Sequence, residues 1–255
     1  MRCALIGSGS GGNGTLVASG ATTLLIDCGY SLRSFEARAR ALSVDPAALT
    51  GILVTHEHGD HAGGVDALAR KYEIPVYATR GTRAATEARI GSLPHWQQIS
   101  VHADFTLGEI QVQPVAVPHD AREPSQFIFT VETARLGLLT DVGSQTAHLA
   151  DQYRLCSALI LEFNHDPALL AAAVYPARLK RRIAGDYGHF SNAQSQNFLR
   201  SMQSANLKKV VAAHLSKRTN HPDLVTECLR QVAQETRGFE WSIATQDEVV
   251  PWFDV

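Results

Sequence analysis

The 255 residues of the sequence hold only four cysteines, Cys3, Cys28, Cys156 and Cys228, and no two form a CxxC pair. That spacing excludes a zinc knuckle and a thioredoxin-type redox site. Buried reduced thiols are expected instead, because free cysteine packs as a small hydrophobe. No run reaches the roughly 18 apolar residues of a membrane span. The opening MRCALIGSGSGGNG has no long apolar stretch of the kind a signal peptide carries. A soluble cytoplasmic protein is the expectation. An excess of one charge is missing too. The formal net charge is −2, so affinity for a polyanion has to come from a local basic patch rather than a global field. Repeats, low-complexity tracts and Pro/Gly-rich linkers are also absent. The length suffices for one large core, and residues 1–255 read as a single domain.

What is present alternates between strands and helices. Cys3–Ile6, Thr15–Val17 and Thr23–Ile26 are short apolar runs separated by glycines and the Ser19-Gly20 turn signal. Ser31 predicts an N-cap for a helix to about Leu42. A buried strand is predicted over 51–55, then a helix through Val65, Leu68 and Ala69. Further strands are predicted at 75–78, 110–117, 158–161 and 210–213, with a hairpin over 127–132 and 136–140. Helices are predicted near 81–90, 167–173, 176–183, 191–203 and 222–236, before short closing strands. The pattern implies sheets inside and helices outside, and the β-meander start argues against an all-parallel sheet.

One motif misleads. Gly7-Ser8-Gly9-Ser10-Gly11-Gly12 matches GxGxxG, and Asp27 lies 20 residues beyond Gly7. A dinucleotide fingerprint needs a helix opening at the glycines to receive the pyrophosphate. The residues that follow here read as two strands, so no nucleotide cofactor is expected. The reading left for this segment is a flexible wall beside an active site.

The strongest signal is Thr55-His56-Glu57-His58-Gly59-Asp60-His61, with four potential metal ligands within six residues after a hydrophobic strand. Imidazoles with a carboxylate suit Zn²⁺ and related metals. These residues resemble the HxHxDH signature of the metallo-β-lactamase superfamily. The resemblance extends to Val117-Pro118-His119-Asp120, Leu138-Leu139-Thr140-Asp141-Val142-Gly143 and Val210-Val211-Ala212-Ala213-His214-Leu215-Ser216. It implies an α/β fold, an αββα sandwich in which two central mixed β-sheets are flanked by helices. It also implies two divalent metal ions, Zn²⁺ in the first instance with Mn²⁺ as the alternative. His56, His58 and His119 would hold one, Asp60, His61 and His214 the other, and Asp141 would bridge. Asp27 in Leu25-Ile26-Asp27-Cys28-Gly29 would support the metal loop from behind. Two such cations lower the pKa of a water and neutralise developing charge. That chemistry serves phosphodiesters, thioesters and lactams alike.

Gly185-Asp186-Tyr187-Gly188-His189-Phe190-Ser191-Asn192 narrows the choice. It resembles the phosphodiesterase branch, which includes the tRNA 3′-processing endonucleases, and implies His189 as general acid beside Asp60 in catalysis. Further stretches carry a closer likeness. They are Ser8-Gly9-Ser10 with Gly12-Asn13, Leu161-Glu162-Phe163-Asn164-His165-Asp166, Leu179-Lys180-Arg181-Arg182-Ile183, and His214-Leu215-Ser216 with Asn220 and Pro222. Together they resemble the YycJ-type bacterial branch, whose members are regarded as DNA-processing 5′ exonucleases. By that resemblance Asn164, His165, Arg181, Asn192, Ser216 and Asn220 surround the substrate. His165 is read as a hydrogen-bonded support, with an extra metal ligand as the alternative. The branch has paired asparagines after its HLS element, and Thr219 stands at the first of them here. Arg178, Lys180, Arg181, Arg182, Lys217 and Arg218 supply a local basic cluster for phosphates. The expected activity is a nuclease acting on DNA or RNA ends. The alternatives are a small cyclic phosphodiesterase of the phosphoribosyl 1,2-cyclic phosphate type and a glyoxalase II-like thioesterase. A homodimer is compatible with the sequence, and no membrane partner is expected.

Overall fold

The computed structural model describes all residues except Pro94, Gln203 and Arg237. Its strands run in chain order from one sheet into a second. The first sheet holds β1 (Arg2–Gly7), β2 (Gly14–Ser19), β3 (Thr22–Ile26), β4 (Gly51–Leu53), β5 (Val76–Thr79) and β6 (Trp96–Ile99). The second holds β7 (Phe105–Leu107), β8 (Ile110–Ala116), β9 (Ser125–Val131), β10 (Ala134–Leu139), β11 (Ala158–Glu162), β12 (Lys209–Ala213) and β13 (Glu240–Ile243). The last strand, β14 (Val250–Asp254), returns to pair with β1. Both sheets are mixed. In the first, β3 to β6 are parallel; in the second, β10 to β13 are.

The helices are α1 (Leu32–Ala41), α2 (Gly59–Ala62), α3 (Val65–Tyr72), α4 (Arg80–Ile90), α5 (Ala147–Tyr153), α6 (Pro167–Ala172), α7 (Ala177–Ile183), α8 (Asn192–Met202) and α9 (Pro222–Glu235). The period-two alternation of strand side chains sorts the core into layers. Cys3 and Leu5 of β1 face the space between the sheets, where they join Phe127, Phe129, Leu136 and Val211 of the second sheet. Ala4 and Ile6 face outward to Phe35 of α1 and Leu68 of α3. On the far side Leu159 and Leu161 meet Tyr153 of α5, Phe198 of α8 and Leu229 of α9. This is the αββα sandwich.

The predicted elements are found, with small shifts and some additions. The strand predicted over 51–55 stops at Leu53, because the Thr55 N–H is taken by the Asp27 carboxylate at 2.8 Å. The two-turn helix α5 was not predicted; it is short, and Thr146 caps it. Strands β6 and β7 also escape a pattern reading, since Gln97 and Gln98 interrupt one and only three residues form the other. The predicted helix end at Gln203 lies outside the described residues. No helix among the described residues is long and apolar enough to cross a membrane. The cysteines are free, with Cys3, Cys28 and Cys156 buried.

Candidate metal centre

The functional side chains sit just beyond the C-terminal ends of strands. Asp27 follows β3, residues 55–61 follow β4, His119 follows β8, Asp141 follows β10, Glu162 ends β11, and His214 follows β12. Parallel strands stop together, so the loops after them gather at one edge of the sandwich. Asp27, Asp141 and His214 all have positive φ, at 61°, 52° and 56°. Left-handed backbone is uncommon outside glycine but is best tolerated by residues such as Asp and His, and here it turns each side chain at the end of its strand.

Among the described residues four groups of donors are gathered, the ligand atoms of each lying within 4.8 Å of one another. His56, His58 and His119 form one, and Asp60, His61 and His214 another. Asp141 joins His56 and His61 in a third, and Glu162, His189 and His214 in a fourth. The sequence-predicted ligands are therefore gathered in two adjoining nests, with Asp141 between them. His165 joins no such group among the described residues.

The surrounding hydrogen bonds fix which nitrogen of each ring is free. His119 Nδ1 faces the Gly188 carbonyl at 3.0 Å, which can only accept, so Nδ1 carries the hydrogen. His61 Nδ1 donates to Asp27 Oδ2 at 2.8 Å, and His214 Nδ1 to Glu162 Oε1 at 3.0 Å. Thr55 Oγ donates to Asp27 at 2.7 Å and therefore accepts from His56 Nδ1 at 3.0 Å. With Nδ1 so engaged, Nε2 is the atom of each of these rings that points inward, where it offers a lone pair to a cation once any proton on it is displaced. His58 is turned the other way, its Nδ1 lying 3.3 Å from His119 Nε2. Inward atoms are left without partners: His56 Nε2 and Asp141 Oδ2 are buried and unbonded. His61 Nε2 lies 3.0 Å from Asp141 Oδ2. A lone pair and a carboxylate oxygen approach so closely only around a positive charge, either a proton or a cation. The donor set therefore fits divalent metal, and the chain has a divalent-metal site.

The electrostatics agree. Burial opposes ionisation of Asp60 and Asp141, but His61 and His214 outweigh it and hold both carboxyls well below the usual range. Burial likewise opposes protonation of His214, yet Asp141, Asp60 and Glu162 push it up to about 10. His61 is raised in the same way by Asp141, Asp60 and Asp27. A proton held this tightly between carboxylates is one that a bound cation displaces.

Glu162 is the residue whose role sequence reasoning missed. It is fully buried and accepts from His189 Nδ1 at 2.9 Å, His214 Nδ1 at 3.0 Å, and the backbone N–H groups of Val142 and Phe190. Burial opposes its ionisation, but His189 and His214 hold it down to about 2. The signal was available: a carboxylate closes the unbroken apolar run of β11. His189 in turn stands at the metal donors, its Nδ1 3.6 Å from Asp141 Oδ1.

The residues predicted around the substrate separate. Asn164 is buried and its amide donates to the His214 carbonyl at 3.1 Å. Asn192 and Asn220 are buried and exchange two hydrogen bonds of 2.9 Å, tying α8 to the loop before α9. Ser216 Oγ accepts from the Thr219 N–H at 3.2 Å. His165 is buried with Nδ1 unbonded. Arg181 and Arg182 are both exposed, and Arg182 is the one that reaches the site, its Nε 2.5 Å from Asp120 Oδ2. Asp120 Oδ1 lies 3.5 Å from His119 Nε2.

The glycine-rich segment is not a flexible wall. Gln246 bonds to the Gly11 N–H at 2.6 Å and the Gly12 carbonyl at 2.8 Å, and Ser8 Oγ accepts from the His214 N–H at 2.8 Å. Asn13, fixed by this segment, places its amide 3.1 Å from His61 Nε2.

A four-layer sandwich with clustered histidines and aspartates at the strand ends defines a class of metal-dependent hydrolases. Residues 22–215 match the Beta-lactamase superfamily domain, and the chain belongs to that family, in its metallo-β-lactamase form. It is 36% identical over 241 residues to the Exodeoxyribonuclease YycJ of Bacillus anthracis, covering 94% of this chain and 91% of that one. It is 32% identical over 243 residues to the Exodeoxyribonuclease WalJ of Streptococcus pneumoniae, covering 93% and 90%. Zn(2+)-bound PqqB from Methylobacterium extorquens shares the fold, with a TM-score of 0.77, 16% identity and full coverage of both chains.

Proposed function

We propose that this protein is a metal-dependent phosphodiester hydrolase, a nuclease acting on DNA ends as a 5′ exonuclease. The observation that carries the reading is His189, held by buried Glu162 at 2.9 Å beside Asp141. A thioester hydrolase has little use for a general acid at that point, because a thiolate leaves unprotonated; a phosphodiesterase must protonate an alkoxide leaving group. The relatives named exodeoxyribonucleases, similar along nearly the whole chain, support the choice of polynucleotide.

His56, His58 and His119 are assigned to one metal, Asp60, His61 and His214 to the second, and Asp141 to both. Zn²⁺ suits the imidazole-rich donors, and the carboxylates also admit Mn²⁺. When bound, the pair supplies Lewis acidity that brings a water toward neutrality and offsets charge on the phosphoryl oxygens. The chain's own contribution is orientation and proton handling. Asp27, Glu162 and the Gly188 carbonyl hold the ring planes. Asp60 points an oxygen at His61 and His214 from the open side. Burial opposes a charge on His189, but Glu162 and then Asp141 raise its proton affinity, which favours the imidazolium that delivers a proton from Nε2.

The test is incubation of metal-loaded protein with 5′-labelled single- and double-stranded DNA and RNA, beside a cyclic phosphodiester. Release of labelled mononucleotide from DNA is expected. Hydrolysis of the cyclic ester with every polynucleotide left intact would overturn the nuclease reading.

A further inference from the structure

Tyr187 serves none of the roles above, yet its position is fixed. The residue is 65% exposed, and Trp241, the other exposed large aromatic among the described residues, lies on β13. The Tyr187 backbone is held to the metal centre. Its carbonyl accepts from the Asp120 N–H at 3.0 Å, the next carbonyl meets His119 Nδ1 at 3.0 Å, and the His189 N–H donates to the Ile183 carbonyl at 2.9 Å. A hydrophobic ring is thus presented to solvent from a rigid segment two residues before the general acid.

Arg182 stands on the same rim. Asp120 binds both, Tyr187 through its N–H and Arg182 through its carboxylate. Only Nε of Arg182 is engaged, and its Nη atoms have no hydrogen-bond partner among the described residues. Half of the guanidinium fork is therefore oriented but unused.

We propose that Tyr187 and Arg182 form a nucleotide subsite at the mouth of the metal centre. The ring stacks on the base next to the scissile phosphate, and the free Nη groups hold a phosphate of the same strand. The inference rests on the phosphodiesterase reading and narrows it to a strand with an unpaired base at the end attacked. Stacking on an aromatic ring is tolerant of sequence, because every base offers a π-face. A guanidinium already turned by Asp120 loses less freedom on meeting phosphate than an untethered one. Asp120 cancels part of its charge, so geometry and free donors matter here more than net field.

The experiment compares wild type, Tyr187→Ala and Tyr187→Phe on short DNA strands whose terminal nucleotide, at the end attacked, carries adenine or is abasic. Metal content is measured for each. The expected result is a KM for Tyr187→Ala raised roughly 5- to 150-fold on the adenine strand, the span of base–aromatic stacking. On the abasic strand wild type and Tyr187→Ala should converge, and Tyr187→Phe should behave as wild type on both. A terminal 2-aminopurine should lose fluorescence on binding wild type and keep it on Tyr187→Ala. Equal losses on both strands, or none on either, would overturn the subsite and leave the nuclease reading standing. A wild type that cleaves no polynucleotide would overturn both, and shows itself before any variant is compared.

Discussion

Glu162 shows how much one buried carboxylate can govern. Its four N–H partners satisfy it fully, so its charge is tolerated where an unpaired one would not be. Glu162→Gln keeps the volume but sets an amide N–H against donors. Loss of an orienting partner typically costs about 10- to 100-fold in metal affinity, and that drop is expected at the His214 side in chelator competition. The variant should also lower the pKa of His189, moving the alkaline limb of the pH–rate profile to lower pH. Unchanged affinity and profile would reduce Glu162 to a packing role. His189→Ala should retain both metals and lose about 10²–10⁴-fold in turnover on DNA. The loss should shrink on a p-nitrophenyl ester, whose leaving group needs no proton. Loss of metal from this variant would move His189 into the ligand shell.

At the scale of elements, the site depends on close backbone approaches. A Cβ on Gly29 would stand 1.9 Å from the Asp60 carbonyl, so only glycine lets the segment after β3 lie against the metal loop. Gly29→Ala is expected to lower stability by about 1–3 kcal/mol, the usual cost of overpacking, and to reduce bound metal at the Asp60 side. Thermal unfolding with metal analysis of the same sample checks it, and wild-type values in both would remove the constraint. Helix α7 gives a second contrast. Both arginines are exposed, but Arg182 is tethered to Asp120 and Arg181 makes no side-chain hydrogen bond among the described residues. Arg182→Ala should weaken oligonucleotide binding and reduce the salt slope by about one unit, as loss of one phosphate contact does. Arg181→Ala should change the slope less. Equal effects would point to a diffuse basic face rather than a placed arginine.

For the whole molecule, the buried charges couple metal, proton and stability. In metal-free protein the raised His214 stabilises the fold fully below its unfolded pKa of about 6.5. That contribution is lost as pH climbs toward about 10. The depressed Glu162 contributes above about pH 4.5 and loses its share toward about 2. Metal-free protein should therefore have its highest Tm between about pH 4.5 and 6.5. A bound cation replaces the proton, so the gap in Tm between loaded and chelated protein should widen from pH 6 to 9. Parallel curves across that range would show that metal and proton do not compete for these groups.

The layers and the candidate donors could be read from the chain's own pattern of residues. Short continuous apolar runs bounded by turn residues revealed most of the strands, and His56-x-His58-x-Asp60-His61 announced a metal because four donors so close after a buried strand have few other uses. Elements such as α5 and β7 stayed hidden, since α5 buries only Leu149 and Tyr153 and β7 buries none of its three residues fully, so neither shows a clear apolar pattern. The tertiary structure decided what each polar residue spends its hydrogen bonds on. It set Asn192 against Asn220, turned Arg182 rather than Arg181 toward Asp120, and pinned the glycine segment with Gln246, which lies more than 230 positions away. It also made Glu162 the common partner of His189 and His214. These pairings depend on which strand ends meet at the edge of the sandwich. No local pattern encodes that, because the residues involved are brought together only when both sheets have packed.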